Sequence, residues 1–406
     1  MPEMHKAHRE NAPPVFFEYG FRPFFLGAGI SALLTMLAWL LWIGLHAASI
    51  DIVLVTVAGP LYQWHAHEMI FGYGLAVVAG FFLTAVPNWT GRRPVAGRLL
   101  AVLFGLWVTA RLTSWISAAL PPLVVALPEL GFVGMLATLV GQALLSGWSK
   151  RNFVFLPVLA AIFAGALLYH LERAGLVEDV AGTGAILGLD ALLLLIAVIG
   201  GRIVPAFTTN ALRREGDANL PRAMNRLDMA AIAAVAALAV ADLAAPGTQA
   251  TGAIALVAGL LNGVRMIGWR TGRVLGAPIL WILHLAYGWL AAGLVLKGLA
   301  LTTGALSEIT AIHAFTIGTV GSMTLGVMTR AALGHTGRLL HVAKPIVASY
   351  VLVSLAAGLR IAGPAFLPEY YNEAMLISGA FWCVAYFLFV LIYWPILTQP
   401  RISAHH

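Results

Sequence analysis

Long apolar runs separated by short polar loops constrain the fold of this chain more than any other feature. About 20 apolar residues are needed to cross the hydrocarbon core of a bilayer as an α-helix. The chain has twelve such runs, near residues 24–47, 61–86, 97–118, 122–147, 153–174, 184–206, 224–245, 249–269, 275–301, 308–331, 343–363 and 372–397. Only 10% of the 406 residues are charged, whereas a soluble domain carries about 25%. We therefore predict an all-α polytopic membrane protein with about twelve transmembrane helices, a single integral domain over 1–406 in the lipid bilayer.

Charged residues in the loops predict the orientation, because positive loops stay in the cytoplasm. With the N-terminus inside, the cytoplasmic loops carry arginines, among them Arg92, Arg93, Arg213, Arg214, Arg222, Arg270 and Arg338. The opposite loops are assigned acidic residues, among them Glu129, Glu172, Glu178, Asp242 and Glu308. Both termini are then cytoplasmic, with a segment at 1–22 and a short tail at 398–406. The net charge of +7 follows from this topology, and no nucleic-acid partner is expected.

The types of residue present limit the chemistry. The single cysteine, Cys383, excludes internal disulfides and thiolate-rich metal sites. A metal would need histidine, carboxylate, methionine or backbone ligands. The sequence also lacks a phosphate-binding Gly-Lys-Ser/Thr loop, a dinucleotide fingerprint and a serine-triad pattern. Any work must draw on redox chemistry or an ion gradient.

Two apolar segments match each other at fixed spacing, each starting with a histidine. The identical pairs are His67/His313, Gly72/Gly318, Gly80/Gly326, Ala85/Ala331, Thr90/Thr336, Gly91/Gly337 and Arg92/Arg338. Asp190 lies midway between the two histidines along the chain. This spacing fits three four-helix units arranged in a ring, although the middle unit matches poorly. Such repeats are also common in transporters.

His67 and His313 are expected at similar depth on parallel helices, as bis-imidazole ligation of one haem requires. An imidazole within a membrane usually marks a ligand or an ion pathway. The alternative is a histidine bonded to a carbonyl of a neighbouring helix. The repeated glycines would leave room either for a flat macrocycle or for a closely packed helix, and the sequence does not separate these.

His65 and Glu68 flank His67 in the segment Trp64-His65-Ala66-His67-Glu68-Met69. Residues two apart on a helix point about 200° away from each other. His65 and His67 therefore serve different centres, or one of them packs against the protein. Glu68 lies three residues after His65, so those two can meet. We expect Glu68 to orient an imidazole, ligate a metal or relay protons.

Four further polar residues lie in or beside apolar runs. His284 is buried and needs a partner, either a metal or a structural hydrogen bond. Arg111 and Asp190 would pair with each other, or Arg111 would bind a haem propionate while Asp190 passes protons. His170 ends its helix, where a solvated interfacial position is favoured.

The chain closely resembles the NnrS family of bacterial membrane proteins. The residues that carry the resemblance are Tyr19-Gly20-Phe21-Arg22-Pro23-Phe24-Phe25, Trp64 to Met69, Thr84 to Gly91, Gly200 to Asn210, Leu280-Trp281 with His284, His313 to Thr316 and Leu333 to Arg338. The resemblance implies a protein of the bacterial cytoplasmic (inner) membrane that contains haem and copper and takes part in the response to nitric oxide. It does not assign the ligands. By architecture alone the chain is also similar to haem-copper oxidases, which place haem-ligating histidines on helices two and ten.

Our leading hypothesis from the sequence is a haem-copper enzyme that reduces nitric oxide, with haem b and copper as cofactors. His67 and His313 would bind the haem iron with Arg111 on a propionate. His65, with Glu68 and His284, would serve copper or a second haem. Glu68 and Asp190 would supply protons, and a quinol or a cytochrome in the membrane would supply electrons. The alternatives are a transporter of a metal, haem or metal-nitrosyl species, and a haem-based sensor without turnover.

Overall fold

The computed structural model describes residues 13–50, 55–147, 152–222 and 224–402. Within them the chain forms twelve long helices. These are α1 Phe21–Ala47, α2 Leu61–Thr90, α3 Gly97–Trp115, α4 Pro122–Ser146, α5 Phe155–Arg173, α6 Ala181–Arg214, α7 Arg226–Ala244, α8 Gln249–Ile267, α9 Pro278–Thr303, α10 Glu308–His335, α11 Lys344–Phe366 and α12 Tyr371–Thr398. The predicted fold class and helix count are confirmed.

Eleven of these helices are long and apolar enough to cross a membrane. The remaining one is α3, whose 19 residues include Arg98 and Arg111, and these two charges lower its mean hydropathy. The chain is therefore a multi-pass membrane protein. Residues 1–12 of the predicted N-terminal segment and 403–406 of the predicted tail lie outside the described residues.

Helices α2, α6 and α10 form the centre of the bundle. Consecutive helices pack side by side, and α12 returns to pack against α1. Within an 18-residue stretch of α2, α6 and α10, 83%, 78% and 72% of the residues are buried, more than in any other described span. The three helices also contact one another. A ring of three four-helix units predicts this position for the second helix of each unit.

A small cavity of about 60 Å³ lies between these three central helices. Its walls are formed by aliphatic and aromatic side chains and by two glycines, and Thr324 is the one polar side chain among them. The centre of the bundle is therefore apolar, and charged groups must lie elsewhere.

Helices α2 and α10 both widen into a π-helix immediately after the matched histidine. The π segments are Glu68–Gly74 and Ala314–Gly321. Such wide turns are rare and often occur at functional sites. In α2, the Trp107 side chain of α3 donates a hydrogen bond to the Gly72 carbonyl, at 3.0 Å. The sequence match thus has a counterpart in an unusual backbone conformation.

The repeated glycines serve close helix packing rather than a macrocycle. At the four repeated glycines inside the helices, a Cβ atom would lie within 2.6–2.8 Å of a side chain already in place. The four contacts are Gly72 with Arg111, Gly80 with Phe25, Gly318 with Trp289 and Gly326 with Leu283. Because these side chains fill the space, neither matched segment leaves a flat slot beside its glycines.

Candidate functional site

Helices α2 to α5 bring three metal-ligating side chains together near the predicted outer face, where α2 and α4 begin. His67 comes from α2, Glu129 from α4 and His170 from α5, with relative exposures of 1%, 1% and 4%. One ligand atom of each lies within 4.8 Å of the other two. His67 Nε2 is 3.0 Å from Glu129 Oε1, and His170 Nε2 is 3.5 Å from Glu129 Oε2. The three residues form the His67–Glu129–His170 cluster.

Ligand atoms of this cluster lack hydrogen bonds within the described part of the chain. Both ring nitrogens of His67, Oε1 of Glu129 and Nε2 of His170 are buried without a hydrogen-bond partner. The 3.0 Å contact between His67 Nε2 and Glu129 Oε1 is an ion pair when His67 is protonated. Because buried polar atoms are nearly always bonded, this convergence suits either a protonated imidazole or a bound metal ion. Two imidazoles and a carboxylate suit copper or Fe(II).

Arg111 of α3 bridges the two carboxylates of the site. Its Nη1 and Nη2 atoms each lie 2.5 Å from an oxygen, of Glu68 and of Glu129 respectively. A planar guanidinium suits this double contact. Two buried carboxylates then share one fixed positive charge, and leaving a buried charge uncompensated is costly. A bound cation or a protonated His67 would restore the balance.

A polar cavity of about 140 Å³ reaches the cluster from the predicted outer face. Tyr169, His170, Ser114 and Arg173 are among its lining residues. The Tyr169 ring stacks on His67, with centroids 3.8 Å apart. Ser114 donates a hydrogen bond to Glu68, with Oγ to Oε1 at 2.8 Å. Ser114, which bonds Glu68, and His170 of the cluster therefore both line this cavity.

A family model described as NnrS protein matches residues 15–401, nearly the whole chain. The chain belongs to the NnrS family. Membership supports a membrane protein of the nitric oxide response, as the sequence motifs predict. NnrS proteins are known to bind metal, which agrees with the buried His67–Glu129–His170 cluster. Among the curated proteins, none matches this chain.

The two matched histidines of this NnrS protein do not face each other. His67 lies against α4 and α5, as described above. His313 places Nδ1 2.8 Å from the carbonyl oxygen of Ile309 on its own helix and interacts electrostatically with Arg360 of α11. The pairing of His67 with His313, expected from the repeat, is therefore not found. Equal depth on parallel helices does not fix the direction in which a side chain points.

His65 of α2 packs against α1, away from the His67–Glu129–His170 cluster. It stacks on Trp39 of α1, with ring centroids 4.7 Å apart, and interacts electrostatically with His313 and Arg360. Its Nδ1 atom is buried without a hydrogen bond among the described residues. His65 and His67 thus serve different surroundings, as their spacing predicts.

Glu68 and Arg111 also have partners other than those expected. Glu68 does not meet His65; its Oε1 lies 3.4 Å from Nδ1 of His67 and is bonded to Arg111 and Ser114. Arg111 pairs with Glu68 and Glu129 rather than with Asp190. Each of its terminal nitrogens contacts a carboxylate, and the haem-propionate role expected for Arg111 stays a prediction.

His284 has a hydrogen-bond partner on each ring nitrogen. Nε2 lies 2.9 Å from the hydroxyl of Thr208, and Nδ1 lies 2.9 Å from the hydroxyl of Thr271. The two expectations for this residue were a metal ligand and a structural hydrogen bond. The geometry favours the hydrogen bonds, because neither nitrogen is free to ligate a metal.

Two residues of the cluster were missed by sequence reasoning. Glu129 was assigned to an outer loop and His170 to a solvated interface, and both assignments are wrong because both side chains are buried. Neither lies in the repeated segments. A weak signal was present in the sequence. A glutamate within an apolar run and a histidine near the same membrane face as His67 are both energetically costly to bury, and such residues are usually functional.

Proposed function

We propose that this chain binds copper at the His67–Glu129–His170 cluster and reduces nitric oxide to nitrous oxide there, in detoxification or respiration. The observation that carries the proposal is the set of buried ligand atoms that converge without hydrogen bonds. Family membership indicates a role in the nitric oxide response and so supports nitric oxide as the proposed substrate. Bound copper would supply a redox-active site with an open position for a small gas molecule.

The reaction consumes two molecules of nitric oxide, two electrons and two protons, and gives one nitrous oxide and one water. A quinol or a cytochrome of the membrane is the proposed electron donor. Nitric oxide is small and dissolves in lipid, so it needs no polar channel. With both termini in the cytoplasm of a bacterium, the polar cavity opens on the outer side of the inner membrane.

The residues around the cluster have separate tasks in this proposal. Arg111 holds the Glu68 and Glu129 carboxylates in fixed positions through its two ion pairs. In the proposed proton path, the Glu68 carboxylate relays protons between the Ser114 hydroxyl at the cavity and His67. Trp64 donates a hydrogen bond to Ser114 Oγ at 3.1 Å, which leaves the Ser114 hydroxyl hydrogen directed at Glu68.

Haem b is the second proposed cofactor, and His65 and His313 are the residues that would hold it. The support is the electrostatic interaction between His65 of α2 and His313 of α10 and the unbonded Nδ1 of His65 among the described residues. Arg360 is the basic residue beside both histidines. A haem there would supply an electron-carrying group.

Metal analysis of the purified protein tests the proposal directly. We expect one copper per wild-type chain and nitrous oxide production with a reductant. Glu129→Gln removes a charged ligand and should lower both, whereas the exposed Glu178→Gln serves as the matched control and should lower neither. Copper that stays at wild-type level in Glu129→Gln would place the metal elsewhere. If the analysis finds iron instead of copper, the proposed site stands and the bound metal is iron.

Glu68→Gln tests the proton role separately from metal binding. A positioned proton donor contributes roughly a hundredfold or more to a rate, so we expect turnover to fall by about that factor. Copper content should stay unchanged, because Glu68 is not in the cluster. Nitrous oxide formation at the wild-type rate in this variant would remove Glu68 from the proton path.

The transporter hypothesis has less support from the bundle centre. A cargo such as a metal or a metal-nitrosyl species needs polar contacts on its route, and the central cavity offers only Thr324. A sensor would bind nitric oxide at the same cluster without releasing product. The nitrous oxide measurement separates the sensor from the enzyme.

A further inference from the structure

Helices α6, α7 and α9 bury a second set of charged side chains, apart from the His67–Glu129–His170 cluster. Asp190 of α6, Asp242 of α7 and Lys297 of α9 are 6%, 7% and 3% exposed. Glu308, at the start of α10, is 39% exposed at its side chain. These four residues lie toward the predicted outer face, where α6 and α10 begin. Ionisable groups at this depth are costly and usually functional.

One lysine serves several carboxylates in this set. Lys297 Nζ lies 2.8 Å from Asp242 Oδ1 and 3.2 Å from Glu308 Oε1. Its single charge is therefore shared between these two partners. Asp190 interacts electrostatically with all three residues, but its Oδ2 atom is buried without a hydrogen bond among the described residues. The three acids outnumber the one base, and among the residues that the structure describes Asp190 is the acid without a direct ion pair.

A buried carboxyl in this position must be neutralised. An unpaired charge in an apolar interior is far more costly than a neutral polar group. A metal cation would need several oxygen ligands, and Oδ2 of Asp190 has no oxygen or nitrogen partner in the described residues. A proton meets the requirement with no further ligand.

We infer that Asp190 is a proton-binding site, loaded from the predicted outer face through Glu308 and the Lys297–Asp242 pair. Glu308 takes a proton from water, the proton passes to Asp242 beside the Lys297 ammonium, and Asp190 receives it. No electron moves in these steps. The inference rests on the proposed function in one respect only, which is that nitric oxide reduction is the reaction that consumes the proton.

The position of Asp190 links this route to the metal cluster. Gly188, two residues earlier on α6, packs on Phe71 of α2, where an added Cβ would lie 2.6 Å from the ring. Phe71 in turn contacts the His67 ring, with centroids 5.2 Å apart. The α6 segment that carries Asp190 therefore packs directly on the helix that carries His67.

Infrared spectroscopy of the full chain in detergent tests the inference without nitric oxide or reductant. We expect a protonated carboxyl C=O band at neutral pH that shifts in D₂O and disappears in Asp190→Asn. The exposed Glu178→Gln is the control and should keep the band. If Asp190→Asn does not fold, Asp190→Glu should move the band to a new frequency. A spectrum without the band, or a band unchanged in both Asp190 variants, would overturn the inference.

The route is tested by the rate at which the band shifts after transfer to D₂O. Glu308→Gln should slow this exchange by roughly a hundredfold while leaving the band intensity unchanged. Equal exchange rates in wild type and Glu308→Gln would overturn the route through Glu308. A band that appears only after sodium is removed would show a cation site instead. Since no substrate is present, a failed reductase assay and a failed infrared test are independent results.

Discussion

The start of α2 and the start of α10 share a backbone but differ in chemistry. Each has a histidine followed by a π segment and a glycine that admits a large side chain. At α2 the glycine admits Arg111, which joins two buried carboxylates; at α10 it admits Trp289, which donates a hydrogen bond to Ser354 at 3.1 Å. An internal repeat can therefore preserve geometry while neighbouring helices decide whether the site is charged or apolar.

The largest expected difference between the two segments concerns their arginines. Arg111→Met should destabilise the protein by about 3–5 kcal/mol, because it leaves two buried carboxylates without their partner. Arg360→Met, the matched change beside His313, should cost about 1 kcal/mol or less, since Arg360 is partly exposed and holds no carboxylate ion pair among the described residues. Thermal unfolding in detergent measures both. Equal losses of stability in the two variants would contradict the proposed difference in charge between the two segments.

The two histidines should control different cofactors. His67→Ala should weaken copper binding by roughly a hundredfold or more, since outer-shell changes alone reach that range, and should leave haem absorbance intact. His313→Ala should do the reverse. Metal analysis and the absorption spectrum report the two losses independently, and the exposed His341→Ala is the control. Loss of both cofactors in both variants would indicate that His67 and His313 contribute to one shared site.

The smallest expected effects on stability come from substituting the matched glycines Gly72 and Gly318. Gly318→Ala places a Cβ against the Trp289 ring and should cost about 1–3 kcal/mol through overpacking, with copper retained. Gly72→Ala presses on Arg111 instead and should lower copper content as well. Unfolding temperature and metal content of the two variants decide this. Unchanged copper in Gly72→Ala would mean that Arg111 can move without disturbing Glu129.

The sequence predicted the fold well because helix spans in a membrane are set by local composition. Apolar run length gave all twelve helices with boundaries within a few residues, apart from the longer ends of α6 and α10. The repeat also located both π segments, although it did not reveal their conformation. Family membership followed from motifs spread over the chain and is confirmed.

The site was only partly predictable. Sequence reasoning named His67, Glu68 and Arg111 individually as candidates, and the structure brings them together with partners that were not expected. Glu129 and His170 lie in segments with no repeat and no motif, so only their packing against α2 reveals them. The pairing of His67 with His313 rested on equal depth, which says nothing about the rotation of a helix about its own axis.

Sequence alone determined that this chain is a multi-pass membrane protein of about twelve helices that carries imidazoles and carboxylates within them. The tertiary structure decided which of them meet. Each residue turns an α-helix by about 100°, so a π segment and the packing of neighbouring helices decide which way each side chain points. His65 faces Trp39 and His67 faces Glu129 for this reason, and contacts between distant helices cannot be read from local spacing.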